Sequence, residues 1–96
     1  MTWTPEPGKD WRWNPADKCV EFTYRQFGAK PKVNVRRCTI KVFPDWIKRI
    51  YGIPDGETPR DVAEKNQQDI TDRALKRIEG FMPEYTDDIQ VVFLDE

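Results

Sequence analysis

Between Cys19 and Phe27 the chain alternates apolar Val20, Phe22 and Tyr24 with polar Glu21, Thr23 and Arg25. This is the pattern of a strand with one face buried. The β-branched run from Lys32 to Val42 is its natural partner, and Gly28 supplies a residue able to take positive φ at the first central position of a type II′ turn. A tight hairpin in that register sets Tyr24 against Val33, Phe22 against Val35 and Cys19 against Cys38. The second strand changes phase part-way, because Val33 and Val35 point one way and Cys38, Ile40 and Val42 the other. A bulge at Arg36-Arg37 restores one common face and excludes the Cys19–Cys38 pairing.

Beyond the hairpin the apolar period lengthens to that of helices. Phe43-Pro44-Asp45 opens a short helix to Tyr51, with Pro44 and Asp45 suited to the first turn and Gly52 to the stop. Its apolar stripe is Phe43, Ile47, Ile50 and Tyr51, which leaves Trp46 at the margin beside Arg49. After the turn Ile53-Pro54-Asp55-Gly56, Thr58 caps a long helix, with Asp61 at the capping-box position. That helix is expected to reach about Glu79 on a narrow buried face of Val62, Ala63, Asn66, Ile70, Ala74, Ile78 and Phe81, and to end at Gly80 and Pro83. Ile89 to Leu94, bounded by Asp87-Asp88 and Asp95-Glu96, reads as a last strand.

The elements predict one α+β domain over residues 18–96: a small antiparallel sheet, made of the hairpin and the C-terminal strand, packed on one short and one long helix. Residues 1–17 read as an irregular Trp- and Pro-rich arm lying on that domain. Trp3, Trp11 and Trp13 give it enough apolar surface to hold at least one ring over the core, with a short strand at Trp11 to Trp13.

Composition narrows the function classes. A chain of 96 residues, 38% apolar and with 12% aromatic residues, builds one core and is not globally disordered. No apolar run approaches the roughly 20 residues of a membrane helix. The first residues carry Pro, Trp and charge where a signal peptide has its apolar region, so a cytoplasmic chain without a membrane partner is expected. With no His, the Ser-His and Cys-His nucleophile pairs and the commonest general base are missing. Two cysteines are too few for a zinc site of their own, and in a reducing compartment they remain thiols. No Gly-rich phosphate loop is present. The expectation is a protein that is not an enzyme and uses no cofactor or metal.

Charge adds the most informative feature. Residues 1–50 carry eleven Lys/Arg against five Asp/Glu, and residues 51–96 carry five against twelve. The hairpin concentrates Lys18, Arg25, Lys30, Lys32, Arg36, Arg37 and Lys41 around the single acid Glu21. In the long helix Asp61–Lys65, Asp69–Arg73 and Asp72–Lys76 are spaced to pair, so the acidic surplus lies in loops and ends. The candidate partner-binding set is Arg25, Lys30, Lys32, Arg36, Arg37, Lys41, Trp46, Arg49, Trp11 and Trp13, since Trp and Arg dominate binding hot spots. Asp55, Glu57, Glu84, Asp87 and Asp88 form a candidate acidic rim. Small size, charge asymmetry and the lack of catalytic groups are shared with phage and mobile-element proteins that inhibit a host factor by occlusion. A protein-binding module of the inhibitor or adaptor kind, monomer or homodimer, is the leading expectation. The alternative is a nucleic-acid-binding accessory protein that uses the same basic hairpin.

Overall fold

The structure, a computed structural model, describes residues 3–27, 35–81 and 89–94. Eight elements follow in order: β1 (Thr4–Pro5), β2 (Arg12–Asn14), β3 (Cys19–Phe27), β4 (Val35–Val42), α1 (Pro44–Tyr51), α2 (Pro59–Lys65), α3 (Gln67–Phe81) and β5 (Ile89–Phe93). The class is α+β, as the periodicity predicts. The sheet runs β1-β3-β4-β5, with β2 also bonded to β3.

The β3–β4 register differs from both sequence alternatives. Val20 faces Val42, Phe22 faces Ile40, Tyr24 faces Cys38 and Phe27 faces Val35 in one continuous antiparallel ladder. There is no bulge at Arg36-Arg37, and Cys38 lies opposite Tyr24 rather than Cys19. The reason is packing. A longer connection shifts the pairing so that Cys38, Ile40 and Val42 share the face of Val20 and Phe22, and the phase change needs no bulge to repair it. The connection itself, with the expected Gly28 turn, lies outside the described residues.

Alternation then sorts the sheet into two faces. Val20, Phe22, Cys38, Ile40, Val42, Val92 and Leu94 join Trp46, Ile47, Val62, Ala63, Ile70, Ala74 and Ile78 in one core, closed by Trp3. Odd-numbered residues of β3 and β4, with Val91 and Phe93, form the opposite face, which no helix covers among the described residues. Strand β5 pairs with β4 in parallel, from Arg37 beside Ile89 to Lys41 beside Phe93, so the sheet is mixed rather than wholly antiparallel. The three helices between these strands return the chain to the end from which β4 began, the usual route to a parallel neighbour.

The arm is more ordered than its composition suggests. Its β1 and β2 segments both pair antiparallel with β3, Thr4 with Arg25 and Arg12 with Glu21. Between them Glu6 to Lys9 forms a turn, closed by the Lys9 N–H donating to the Glu6 carbonyl, with Pro7 and Gly8 at the centre. Gly8 has φ of 79°, so Pro followed by a positive-φ Gly makes this a type II turn.

Helix α1 has the expected bounds. Gly52, at φ 74°, closes it with its N–H on the Lys48 carbonyl. Thr58 and Asp61 form the reciprocal capping box at the start of α2. The predicted long helix is interrupted at Asn66, whose φ of −110° leaves the helical range. Its side-chain amide donates to the Val62 carbonyl at 2.8 Å, the local competition with backbone bonding that Asn brings to a helix interior. The buried face continues through the break, with Val62, Ala63, Ile70, Ala74 and Ile78 all buried.

Cys19 and Cys38 are free and buried. Burial raises the thiol of Cys38 to about 11 and also raises that of Cys19. Neither is expected to react with an alkylating reagent in the folded protein at neutral pH, and both should be modified after unfolding. Intact-mass measurement before and after denaturant checks this; fast labelling of the native chain would contradict it. Ile40 is fully buried on β4, between β3 and β5. Ile40→Ala should lower stability by about 3 kcal/mol in urea unfolding; a loss of less than about 1 kcal/mol would place Ile40 outside the core.

Candidate functional site at the free sheet edge

On the helix-free face, the cations that suggested a phosphate-binding surface are interleaved with acids. Arg12 donates through its guanidinium to Glu21, with Nε at 2.9 Å. Lys41 donates to Asp17 at 2.6 Å and lies 3.9 Å from the second oxygen of Glu21. Glu6, carried over this face by the type II turn, stands 3.4 Å from Arg37 and 3.7 Å from Arg25. Thr23 and Thr39 share a hydrogen bond of 2.7 Å across the strands. Arg25 also lies over the ring of Phe27 at 4.8 Å.

This arrangement has a measurable electrostatic signature. Burial alone would raise the Glu21 carboxyl, but hydrogen bonds from Arg12 and Asn14 and the charges of Arg12 and Lys41 hold it below its ordinary value. The hydrogen bond to Asp17 raises Lys41 in turn. Asp17, Cys19 and Glu21 bring their donor atoms within 4.8 Å of one another, a spacing compatible with a metal. Both carboxylates are already engaged by Arg12 and Lys41, and that ion network accounts for the cluster.

The predicted site residues separate. Arg25, Arg37 and Lys41 share the open face, each with a carboxylate nearby. Arg36 lies on the helix side, because neighbouring strand residues point to opposite faces. There it donates to Gln26 Oε1 at 2.7 Å and lies over the ring of Trp3 at 5.5 Å. Trp11 and Trp13 are half-buried and pack against the core, Trp11 stacked on Phe22 at 5.3 Å. Trp11, Phe22 and Tyr24 line a cleft of about 370 Å³ whose rim includes Lys9, Asp10, Gln67 and Thr71.

Trp46 is not the exposed anchor that the sequence suggested, being only 3% accessible. Phe43, Trp46, Ile47 and Ile50 follow the three-and-four spacing of a helical stripe, which makes Trp46 central to it rather than marginal. Its ring meets Tyr51 edge-on at 5.8 Å. Arg49 is exposed on the same helix and, with Phe43, Asp45 and Trp46, lines a shallow groove against Phe93 and Leu94. Of the acidic rim, Asp55 is exposed and Glu57 is bound by Lys65 rather than free. That contact also takes Lys65 away from the expected partner Asp61, which serves the cap. Asp69 does pair with Arg73, at 2.9 Å. Lys30, Lys32, Glu84, Asp87 and Asp88 lie outside the described residues.

The apolar run of β5 supplies two exposed side chains that the predicted partner-binding set does not contain. Val92 and Leu94 are buried, while Val91 and Phe93 are each 48% accessible, the large apolar side chains left exposed among the described residues. Phe93 meets Phe43 with ring centres 5.8 Å apart. The Leu94 N–H bonds to the Lys41 carbonyl, so alternation turns the backbone of Val91 and Phe93 outward. Strand β5 has one neighbour, and this outer edge is open among the described residues.

No protein family, curated protein or solved structure matches the chain. Function therefore rests on the site itself.

The lowered Glu21 value fixes the sign of a pH effect. A carboxylate held lower in the folded state than in the unfolded state contributes stability above its unfolded value, and that contribution is lost as pH falls through the folded value. Stability should therefore drop as pH falls below about 4.5, the ordinary Glu value, and Glu21→Gln should remove part of that slope. Urea unfolding across acidic pH tests it; identical slopes in both proteins would show that Glu21 is not held by Arg12 and Lys41.

Proposed function

We propose that the chain is a non-enzymatic protein-binding module, of the inhibitor or adaptor kind, which covers part of a partner through the free edge of β5. The observation that carries this reading is the pair Val91 and Phe93, half exposed on a strand whose outer edge has no neighbour among the described residues, and continuous with Phe43. Exposed apolar side chains gathered at a sheet edge leave surface that a partner can cover. The ridge replaces Trp46 and Arg36 as the anchor, since both face the interior side of the sheet.

The ion network weakens the nucleic-acid alternative. Binding a phosphate backbone draws its strength from cations that neutralise phosphates and release counterions. Arg25, Arg37 and Lys41 already have Glu6, Asp17 and Glu21 beside them, and phosphate would have to compete with those carboxylates. The absence of His from the sequence, which removes the Ser-His and Cys-His nucleophile pairs, supports the non-enzymatic part of the reading.

Affinity capture with Phe93→Lys tests the site against the unchanged protein. The exposed position predicts a stability loss of about 1 kcal/mol or less, with loss of the specifically captured partner. Capture that survives Phe93→Lys would reject β5 as the contact. Fluorescence anisotropy with labelled DNA and RNA at low salt should show no binding; binding that weakens steeply with salt would put the nucleic-acid reading first.

A further inference from the structure

The outward backbone of β5 specifies more than an apolar contact. Val91 and Phe93 each direct both an N–H and a C=O away from β4, and the same residues hold the exposed side chains on the open face. An extended segment laid along this edge can bond to the backbone and pack on those side chains together. This is the geometry of strand addition.

Charge selects among possible occupants. In the sequence Asp88 directly precedes the strand and Asp95 directly follows Leu94, with Asp87 and Glu96 next to them. Antiparallel self-pairing of this edge would bring the acids adjoining one end of the strand near those adjoining the other end of a second copy. Like charges placed opposite each other destabilise such a pairing. A segment with cations at its ends meets the acids favourably in either direction. Strand β5 itself contains no Lys or Pro, the residues that usually block an edge against pairing.

We propose that β5 takes up an extended segment of a partner protein as an additional strand, and that this segment carries Lys or Arg on both sides of a short apolar core. The inference rests on the protein-binding reading above and adds the chemistry of the partner.

The probe is a short blocked peptide with an alternating Val-Thr core and paired lysines at each end. Comparison peptides have glutamates at the ends, or the lysine ends with alternate core amides N-methylated. NMR amide exchange in the full chain gives the readout. The lysine-ended peptide should slow exchange of the Val91 and Phe93 amides by about tenfold or more, less so as salt is added, and the other two should leave it unchanged. Val91→Pro removes one outward N–H that β4 does not use and should weaken binding while the core amides stay protected.

Equal protection by the glutamate-ended peptide, or none by the lysine-ended one, overturns the proposal. Binding of the N-methylated peptide overturns strand addition but leaves a side-chain contact, and with it the protein-binding reading, intact. Protection that rises with protein concentration without peptide assigns the edge to a second copy and also overturns the proposal. Loss of specific capture with Phe93→Lys reports on the protein-binding reading separately.

Discussion

Strand β3 is bonded along both edges, and the rest of the molecule is arranged around that fact. On one side β4 pairs with it from Val20 to Phe27; on the other the arm supplies β1 and β2. The β3–β4 register determines which side chains meet the helices. A shift by one residue would turn Ile40 and Val42 to the open face and bring Thr39 and Lys41 into the core. The same register sets Arg37 and Lys41 on the open face, beside Arg25 and Glu21, and so fixes the partners of the ion network. Fold and surface electrostatics are consequences of one pairing.

The features legible in the sequence are those written in neighbouring residues. Pro44 and Gly52 bound α1, and Thr58 with Asp61 caps α2, because starts and stops depend on a few adjacent groups. The alternation around Phe22 identifies β3 for the same reason. Trp46 was also recoverable locally, since Phe43, Trp46, Ile47 and Ile50 have helical spacing; treating Tyr51 as part of the stripe displaced it. The interruption at Asn66 had a local signal too, in a side chain that competes for backbone carbonyls.

Other features depend on contacts between distant parts of the chain. Alternation marks a strand but not the residue it faces, so a longer connection moved the register while leaving the pattern unchanged. Strand direction has no local signature either, and β5 runs parallel because three helices intervene. Glu6 lies nineteen residues before Arg25 and thirty-one before Arg37 in the sequence. Nothing in the arm's Pro-rich composition announces it as their counter-ion. Among the described hairpin cations, Arg25, Arg37 and Lys41 are met by carboxylates, and a local charge count does not reveal those that the arm supplies.

The two sides of the sheet are treated differently by the fold. The β3 side is covered by the arm, which contributes backbone bonds, the Trp3 ring and the Glu6 carboxylate. The β5 side has no such cover among the described residues, though Val91 and Phe93 are apolar. A run of apolar residues commonly signals burial on both faces, and Val91-Val92-Phe93-Leu94 departs from this because only Val92 and Leu94 reach the core. Strand formation and core packing therefore require Val92 and Leu94 to be apolar but place no such demand on Val91 and Phe93. Polar β-formers such as Thr at those two positions would preserve the alternation and the core. Their apolar character is the part of β5 that folding alone does not explain, and it coincides with the backbone groups left facing outward.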